Sequence, residues 1–159
     1  DVGMHQLYLT DDNLEGFNAQ AYVLPPLRSN TDQQAIRRGL KDVTIDEICS
    51  HHEPLNSTAK KAPFAESTPG ISNFDTFMAL ACQLVKDNVL TLEQLVDKIC
   101  LNPAKIAGIS EQYETIGGAV LVDPNLAWQV TSESMLSNGK NTPFFNQTLQ
   151  GRVVETFFG

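Results

Sequence analysis

The spacing of apolar positions changes along the chain, and each change marks a different kind of element. Residues 2 to 9, running into "HQLYLT", read as a strand or strand end followed by a polar loop. In "YVLPPLR" the adjacent Pro25 and Pro26 keep the chain extended or turning, because each proline disfavours helix in the residue before it. "TDQQAIRRGLK" opens with Thr31 and has Gln34 three residues on, a capping-box pattern. Its apolar positions Ala35, Ile36 and Leu40 then fit a short amphipathic helix. "VTIDEIC", with Val43, Ile45 and Ile48, is short enough for a buried strand. Strand, helix, strand in that order predicts a right-handed crossover between two parallel strands.

From Glu53 to Ser72 the chain is rich in Pro, Ser, Thr, Ala and Lys and reads as a long loop, a length that compact domains reserve for functional or mobile segments. In "SNFDTFMALACQLVKDN" the residues Phe74, Phe77, Met78, Ala81, Leu84 and Val85 recur at helical spacing and form one face. "TLEQLVDKICL" starts with a second capping box, Thr91 to Gln94, and "NPAKIAGI" places Asn102 as cap and Pro103 at the first helical position. After Gly108 the texture changes. "GGAVLVDP", "AWQV" and "GRVVETFF" are short β-branched and aromatic runs divided by Asp-Pro, Asn-Gly and Thr-Pro breaks. The chain therefore divides into a mixed α/β part, residues 1–110, and a β-rich tail, residues 111–159, with the cut near residues 108 to 115.

Composition narrows the function classes. The 159 residues are 42% hydrophobic and 19% charged, which suits one globular domain or pieces of two. Eleven basic against 19 acidic residues give a formal charge of −8, with no basic run, which argues against nucleic acid and anionic membranes as partners. The scattered acidity reads as a soluble, cytoplasmic surface. Cys49, Cys82 and Cys100 lack C-x-x-C spacing and sit in apolar contexts, which points to a reducing compartment. The glycosylation-like tripeptides at Asn56 and Asn146 are then coincidence, and no apolar run reaches the ~18 residues of a membrane span. Beginning at Asp1 and entering an apolar segment at once, the sequence reads as the middle of a longer protein.

The densest chemistry lies in "EICSHHEPL", where Cys49, His51, His52 and Glu53 fall within five residues at the end of the second strand. In parallel α/β architectures that is where ligands bind. As a self-contained metal site it is weak. Adjacent histidines on an extended strand face opposite ways. Zinc usually takes at least three protein ligands, and His5 is the one other histidine. Ser50 beside His51 is a sequence neighbour and not a nucleophile–base pair assembled across space. Asp75 fits a helix cap or dipole partner, Gly117-Gly118 lacks a phosphate-loop pattern, and Trp128 fits the packing of the tail.

The ordered segments "PPLR", "GLKDVTID", "SHHEP", "LNPAKIAGI", "VLVDPNLAWQV", "KNTPF" and "GRVVET" resemble the C-terminal part of dihydroorotases, members of the metal-dependent amidohydrolase superfamily. Related allantoinases and hydantoinases share the tail, but the paired prolines followed by Leu27-Arg28 favour the dihydroorotase branch. The resemblance implies an α/β fold in which residues 1–110 are the last strands and helices of a TIM-type (β/α)8 barrel. Residues 111–159 would be a small β-sandwich segment. It implies interconversion of carbamoyl aspartate and dihydroorotate in pyrimidine biosynthesis, with one or two zinc ions holding the attacking hydroxide. The family's ligands come from a His-x-His after the first strand, a middle-strand lysine or aspartate, histidines on strands five and six, and an aspartate ending strand eight. The last also shuttles the proton.

By that resemblance the chain starts at strand seven, and residues 43 to 50 are strand eight. The His-x-His and the central histidines are absent from it. Where active members read "TDHAPH", this chain reads "SHHEPL", so His51 occupies the position of the catalytic aspartate. The family's final, substrate-contacting histidine becomes Leu55, and the asparagine before the prolines becomes Leu24, whereas Pro69-Gly70 is retained. A neutral imidazole can ligate zinc but cannot supply an anionic oxygen. The expectation is therefore no catalytic residue, no cofactor, and no metal unless through His51, with Leu24, Leu55, Pro69 and Gly70 as vestigial substrate positions. The protein would then serve as a structural partner of aspartate carbamoyltransferase. The alternatives are a zinc-dependent dihydroorotase of which this chain is a fragment, and a stand-alone metal-binding or interaction domain. Because two strands cannot close a barrel, a second copy or the missing N-terminal barrel half is expected to cover the open edges.

Overall fold

A computed structural model of the chain describes residues 1–111 and 118–158. The expected crossover is present in miniature. Strand β1 (Val2–Gly3) pairs in parallel with β2 (Ile48–Cys49), Val2 opposite Ile48 and Gly3 opposite Cys49, and helix α1 (Asn30–Lys41) lies between them in sequence. Both strands are shorter than their apolar runs. β1 stops at Gly3 because Gln6 Oε1 accepts the Gly3 N–H at 2.9 Å, closing a 3-10 turn over Met4–Leu7 in place of the strand expected to residue 9. That turn buries Met4, His5 and Leu7, and the Arg37 guanidinium donates to the Leu7 carbonyl at 2.9 and 2.7 Å. The run expected to begin a strand at Val43 instead turns there: Val43 has φ 64°, and Asp42 Oδ1 accepts from the Thr44 N–H and hydroxyl. The following carbonyls of Ile45 and Asp46 accept from Lys98 Nζ and Asn102 Nδ2, so side chains replace the ladder there.

Helix α1 begins two residues before the expected box. Ser29 is its cap, and Asp32 Oδ2 accepts from the Ser29 N–H and hydroxyl at 3.2 and 2.7 Å, while the Asp32 N–H returns to Ser29 Oγ. Helix α2 (Phe74–Lys86) follows the predicted span and buries Thr76, Ala79, Leu80, Ala81 and Leu84. Helix α3 (Leu92–Val96) starts with the predicted Thr91–Gln94 box. It runs through a π-helical turn (Asp97–Leu101) into α4 (Asn102–Ile106), so Asn102 lies inside a continuous helical run and not at a cap.

Beyond the helices, β3 (Ala119–Gln129) and β4 (Thr148–Phe157) form an antiparallel pair with Trp128 opposite Leu149. Its register breaks at Asp123, whose carboxylate accepts the Asn125 and Leu126 N–H groups in a turn. Of the Gly117-Gly118 pair, Gly117 lies outside the described residues.

The main core gathers Met4, Leu7, Leu40, Ile71 and Leu84, each almost fully buried, and takes Phe144 from the tail. A smaller core joins Ala79 of α2 to Trp128, Val130 and Met135. The indole packs in the tail as expected, donating to the Gly151 carbonyl at 3.1 Å beneath the Arg152 guanidinium. Helix α2 is thus shared by the two parts. Gly151, at φ 107°, permits this closeness: a Cβ there would stand 3.0 Å from Cys82 Sγ and 3.3 Å from the Ala79 backbone. No helix among the described residues is long and apolar enough to cross a membrane.

Candidate functional site

The loop leaving β2 carries the residues singled out in the sequence, and its backbone does not continue as a strand. His51 has φ 47°, a left-handed conformation that reverses the chain locally, so the alternation of an extended strand does not govern the two histidines. The chain then re-pairs in parallel at His52 with Ile71, and the Glu53 N–H donates to the Ile71 carbonyl at 2.8 Å.

Each histidine has a separate task. His52 Nδ1 accepts the backbone N–H groups of Asn73 and Phe74 at 3.1 and 3.2 Å, and its ring stacks on Phe74 with centroids 4.4 Å apart. It therefore serves α2 as an N-terminal cap supplied from another segment, satisfying donors that the helix leaves unpaired. His5 is buried, and its Nδ1 faces Asn73 Nδ2 at 3.1 Å. That amide also donates to the Ser50 carbonyl at 2.9 Å and, more weakly, to His51's, which fixes its NH2 end toward these groups. The His51 ring meets His5 edge to face, centroids 5.7 Å apart.

These partners fix tautomers. A neutral imidazole accepting at Nδ1 carries its proton on Nε2, leaving no lone pair there for a metal. His5 and His52 are both in that condition. Burial, with the nearby His51 charge, pushes His5 down to about 4. Burial also lowers His52, with Asp75 acting in the opposite sense. Only His51 keeps an uncommitted ring among the three. No group of three His, Cys, Asp or Glu side chains able to hold a metal ion occurs among the described residues. The described residues therefore do not fit a zinc ion by themselves, and an ion here would need further ligands.

The other candidates fall into place around the loop. Leu24 is more than half exposed, and Leu55 is half-buried with its N–H donated to Asn141 Oδ1 at 2.8 Å. Gly70 has both backbone groups engaged: its N–H donates to the Tyr22 carbonyl, and its carbonyl accepts from Asn141 Nδ2, while neighbouring Pro69 is half-buried. Ser50 enters through its carbonyl. Asp75, read as a cap or dipole partner of α2, lies in that helix's first turn, and its Oδ1 accepts the Leu136 and Ser137 N–H groups at 2.6 and 3.4 Å, holding the tail against the helix.

Sequence reasoning missed the residue that organises this loop. Asn141 donates to the carbonyls of Glu53 and Gly70 at 2.9 and 3.0 Å while accepting from Leu55, and its own carbonyl accepts the Ser72 N–H. One buried amide thus ties both ends of the long loop to the tail. Beside it, a Cβ on Gly139 would lie 2.5 Å from Leu55 N and 2.7 Å from the Pro54 backbone, so no other residue fits without displacing the loop. Asn141 and Gly139 lie on the β3–β4 connection, in and just before "KNTPF". The Asn141 contacts span 86 and 88 residues, beyond the reach of any local pattern.

No family model matches the chain. Individual relatives do. A dihydroorotase of Syntrophus aciditrophicus is 42% identical over 96% of this chain. A dihydroorotase-like protein of Pseudomonas aeruginosa is 39% identical over 98% of it. This chain spans 36% and 37% of those relatives' lengths. Among solved structures, an L-hydantoinase (dihydropyrimidinase) of Arthrobacter aurescens superposes with a TM-score of 0.89 at 24% identity over 98% of this chain and 37% of its own, a likeness of fold. Relatives this similar over nearly the whole chain show that it belongs to the dihydroorotase family, of which it is a C-terminal portion.

Proposed function

We propose that the chain comes from a dihydroorotase-like protein without dihydroorotase activity, which acts in pyrimidine biosynthesis as a structural partner of aspartate carbamoyltransferase. The observation that carries this reading is the loop after β2. At the position where hydrolysis needs a carboxylate stands His51, and its neighbours His5 and His52 already accept hydrogen bonds at Nδ1, His5 from the Asn73 amide and His52 from the Asn73 and Phe74 N–H groups. Leu24 and Leu55 compound the effect, because each polar substrate group left unpaired costs roughly 1–3 kcal/mol and such groups act as one unit. On this reading no zinc and no cofactor is bound. Residues 1–110 complete a TIM-type barrel with the rest of the parent polypeptide, residues 111–159 belong to a β-sandwich, and the protein is cytoplasmic. A second copy or the N-terminal barrel half covers the open strand edges.

The dihydroorotase-like name of the Pseudomonas relative supports this reading. The dihydroorotase name of the Syntrophus relative supports a second one, a zinc-dependent dihydroorotase with the uncommitted His51 ring as a substitute ligand. Metal analysis and a dihydroorotate hydrolysis assay on the full polypeptide separate them. The first reading expects neither stoichiometric zinc nor turnover, and co-sedimentation with aspartate carbamoyltransferase. One or more zinc per chain together with hydrolysis, abolished by His51→Asp, would establish the second.

A further inference from the structure

The start of α2, the segment after β3 and strand β4 enclose a cavity of about 480 Å3, whose lining includes none of Leu24, His51, Leu55, Pro69 or Gly70. Its wall is largely apolar, with Phe74 and Met78 from α2, Trp128 from β3 and Leu136 from the β3–β4 connection. Phe74 and Leu136 are 64% and 91% exposed, so solvent meets the cavity across an apolar rim. One cation stands in this wall. Arg152 lies half-buried over the Trp128 ring, 5.0 Å from its centroid, and the indole is itself pinned by its bond to the Gly151 carbonyl. A guanidinium carries five N–H donors. Among the described residues this one makes a single long hydrogen bond, from Nη2 to the Ser134 carbonyl at 3.4 Å, and no ion pair. Two carboxylates placed near it are engaged elsewhere. Asp123, close to Arg152 in the strand register, accepts the Asn125 and Leu126 N–H groups. Asp75, in the cavity wall, gives Oδ1 to Leu136 and Ser137, and its Oδ2 is sealed from solvent. The cavity therefore offers a ligand one charge, positive and set among apolar groups.

We propose that this cavity binds a carboxylate carried on an apolar body, with Arg152 as counter-ion and Phe74, Met78, Trp128 and Leu136 receiving the apolar part. A guanidinium stacked on an aromatic ring with most of its donors unspent suits a planar carboxylate, which it can hold through two N–H groups at once. The volume lies within the range of ligand pockets and admits a single ring with a short side chain. Dihydroorotate is not the ligand of this cavity, because the N–H and C=O groups around its ring would lie unpaired against the apolar wall. The site is independent of whether the parent polypeptide hydrolyses anything.

The test titrates the full polypeptide with phenylacetate and hexanoate, following the heat of binding. Saturable binding of at least one is expected, and the tighter of the two tells whether the favoured body is aromatic or aliphatic. The uncharged amide of the tighter probe should bind roughly tenfold or more weakly, and Arg152→Gln should weaken the acid by as much. Leu136→Ser, at a side chain 91% exposed and so outside the core, should weaken it about threefold. Lys41→Gln, which removes an exposed cation from α1, should leave it unchanged. Excess dihydroorotate should not displace the probe. Absence of saturable binding by both acids, equal affinity for acid and amide, displacement by dihydroorotate, or equal weakening in Arg152→Gln and Lys41→Gln would overturn the site. If Arg152→Gln fails to fold, the amide comparison and Leu136→Ser decide instead: unchanged affinity in either refutes the proposal.

Discussion

The loop after β2 and the β3–β4 hairpin sit side by side in the tertiary structure but are held by opposite means. Every turn of the loop has a dedicated partner: His52 on the start of α2, Asn73 under Ser50, Asn141 across Glu53, Leu55 and Gly70. The hairpin rests on α2 through Trp128 and Gly151, yet Val120, Leu121, Val154 and Phe157 remain about half exposed. One region is fixed by polar geometry with no slack, and the other is apolar surface awaiting cover. The contrast teaches that the shape of the loop does not depend on the side chain at position 51. The hydrogen bonds that fix it run through His52, Asn73 and Asn141.

The sharpest way to break the contrast is Gly139→Ala. The added methyl meets backbone on the facing loop, which has no flexible end to yield, so a loss of about 4 kcal/mol is expected in denaturant unfolding. A loss under 1 kcal/mol would show that the loop has slack after all. Next in size is the effect of pH. His5 is held at about 4 when folded against an ordinary value near 6.5, so the unfolded chain takes up the proton first as pH falls. Stability is full above about pH 6.5 and declines toward pH 4 by up to about 3 kcal/mol. His52, lowered in the same direction, adds to the same decline. Unfolding midpoints at several pH values should show this slope, and His5→Gln should flatten it.

A third variant, Asn141→Leu, strands the Leu55 N–H and the Glu53 and Gly70 carbonyls. About 2 kcal/mol is expected, because water can reach part of this edge. Proteolysis confined to residues 53–72 would report the same release. The smallest effect should come from the hairpin: Leu121→Ser and Val154→Ser should each change the stability of this chain by within about 0.5 kcal/mol. A much larger change in the full polypeptide would measure directly the apolar cover that the hairpin lacks here.

How much of this the sequence disclosed depended on the range of the interaction. Helix α2 and the Thr91–Gln94 box were legible because periodicity and capping act within a few residues. The start of α1 was placed two residues late because Thr31–Gln34 fits the capping-box pattern, whereas the box that forms is Ser29–Asp32. The latter prevailed where Asp32 could take both the N–H and the hydroxyl of Ser29. Alternating apolar residues in "HQLYL" imitated a strand, since Gln6 closing back on Gly3 is a side-chain choice that hydropathy does not record. Position identified the loop after β2 as the place to look. The division of labour among His5, His51 and His52 was hidden, because Asn73, which arbitrates it, is 68 residues from His5.

The left-handed turn at His51 has an evolutionary consequence. Histidine, asparagine and aspartate are the side chains most often found with such a φ, so a carboxylate could stand at this position without refolding the backbone around it. Exchange of histidine and aspartate here is therefore conformationally easy in either direction, and what it alters is the charge the loop presents.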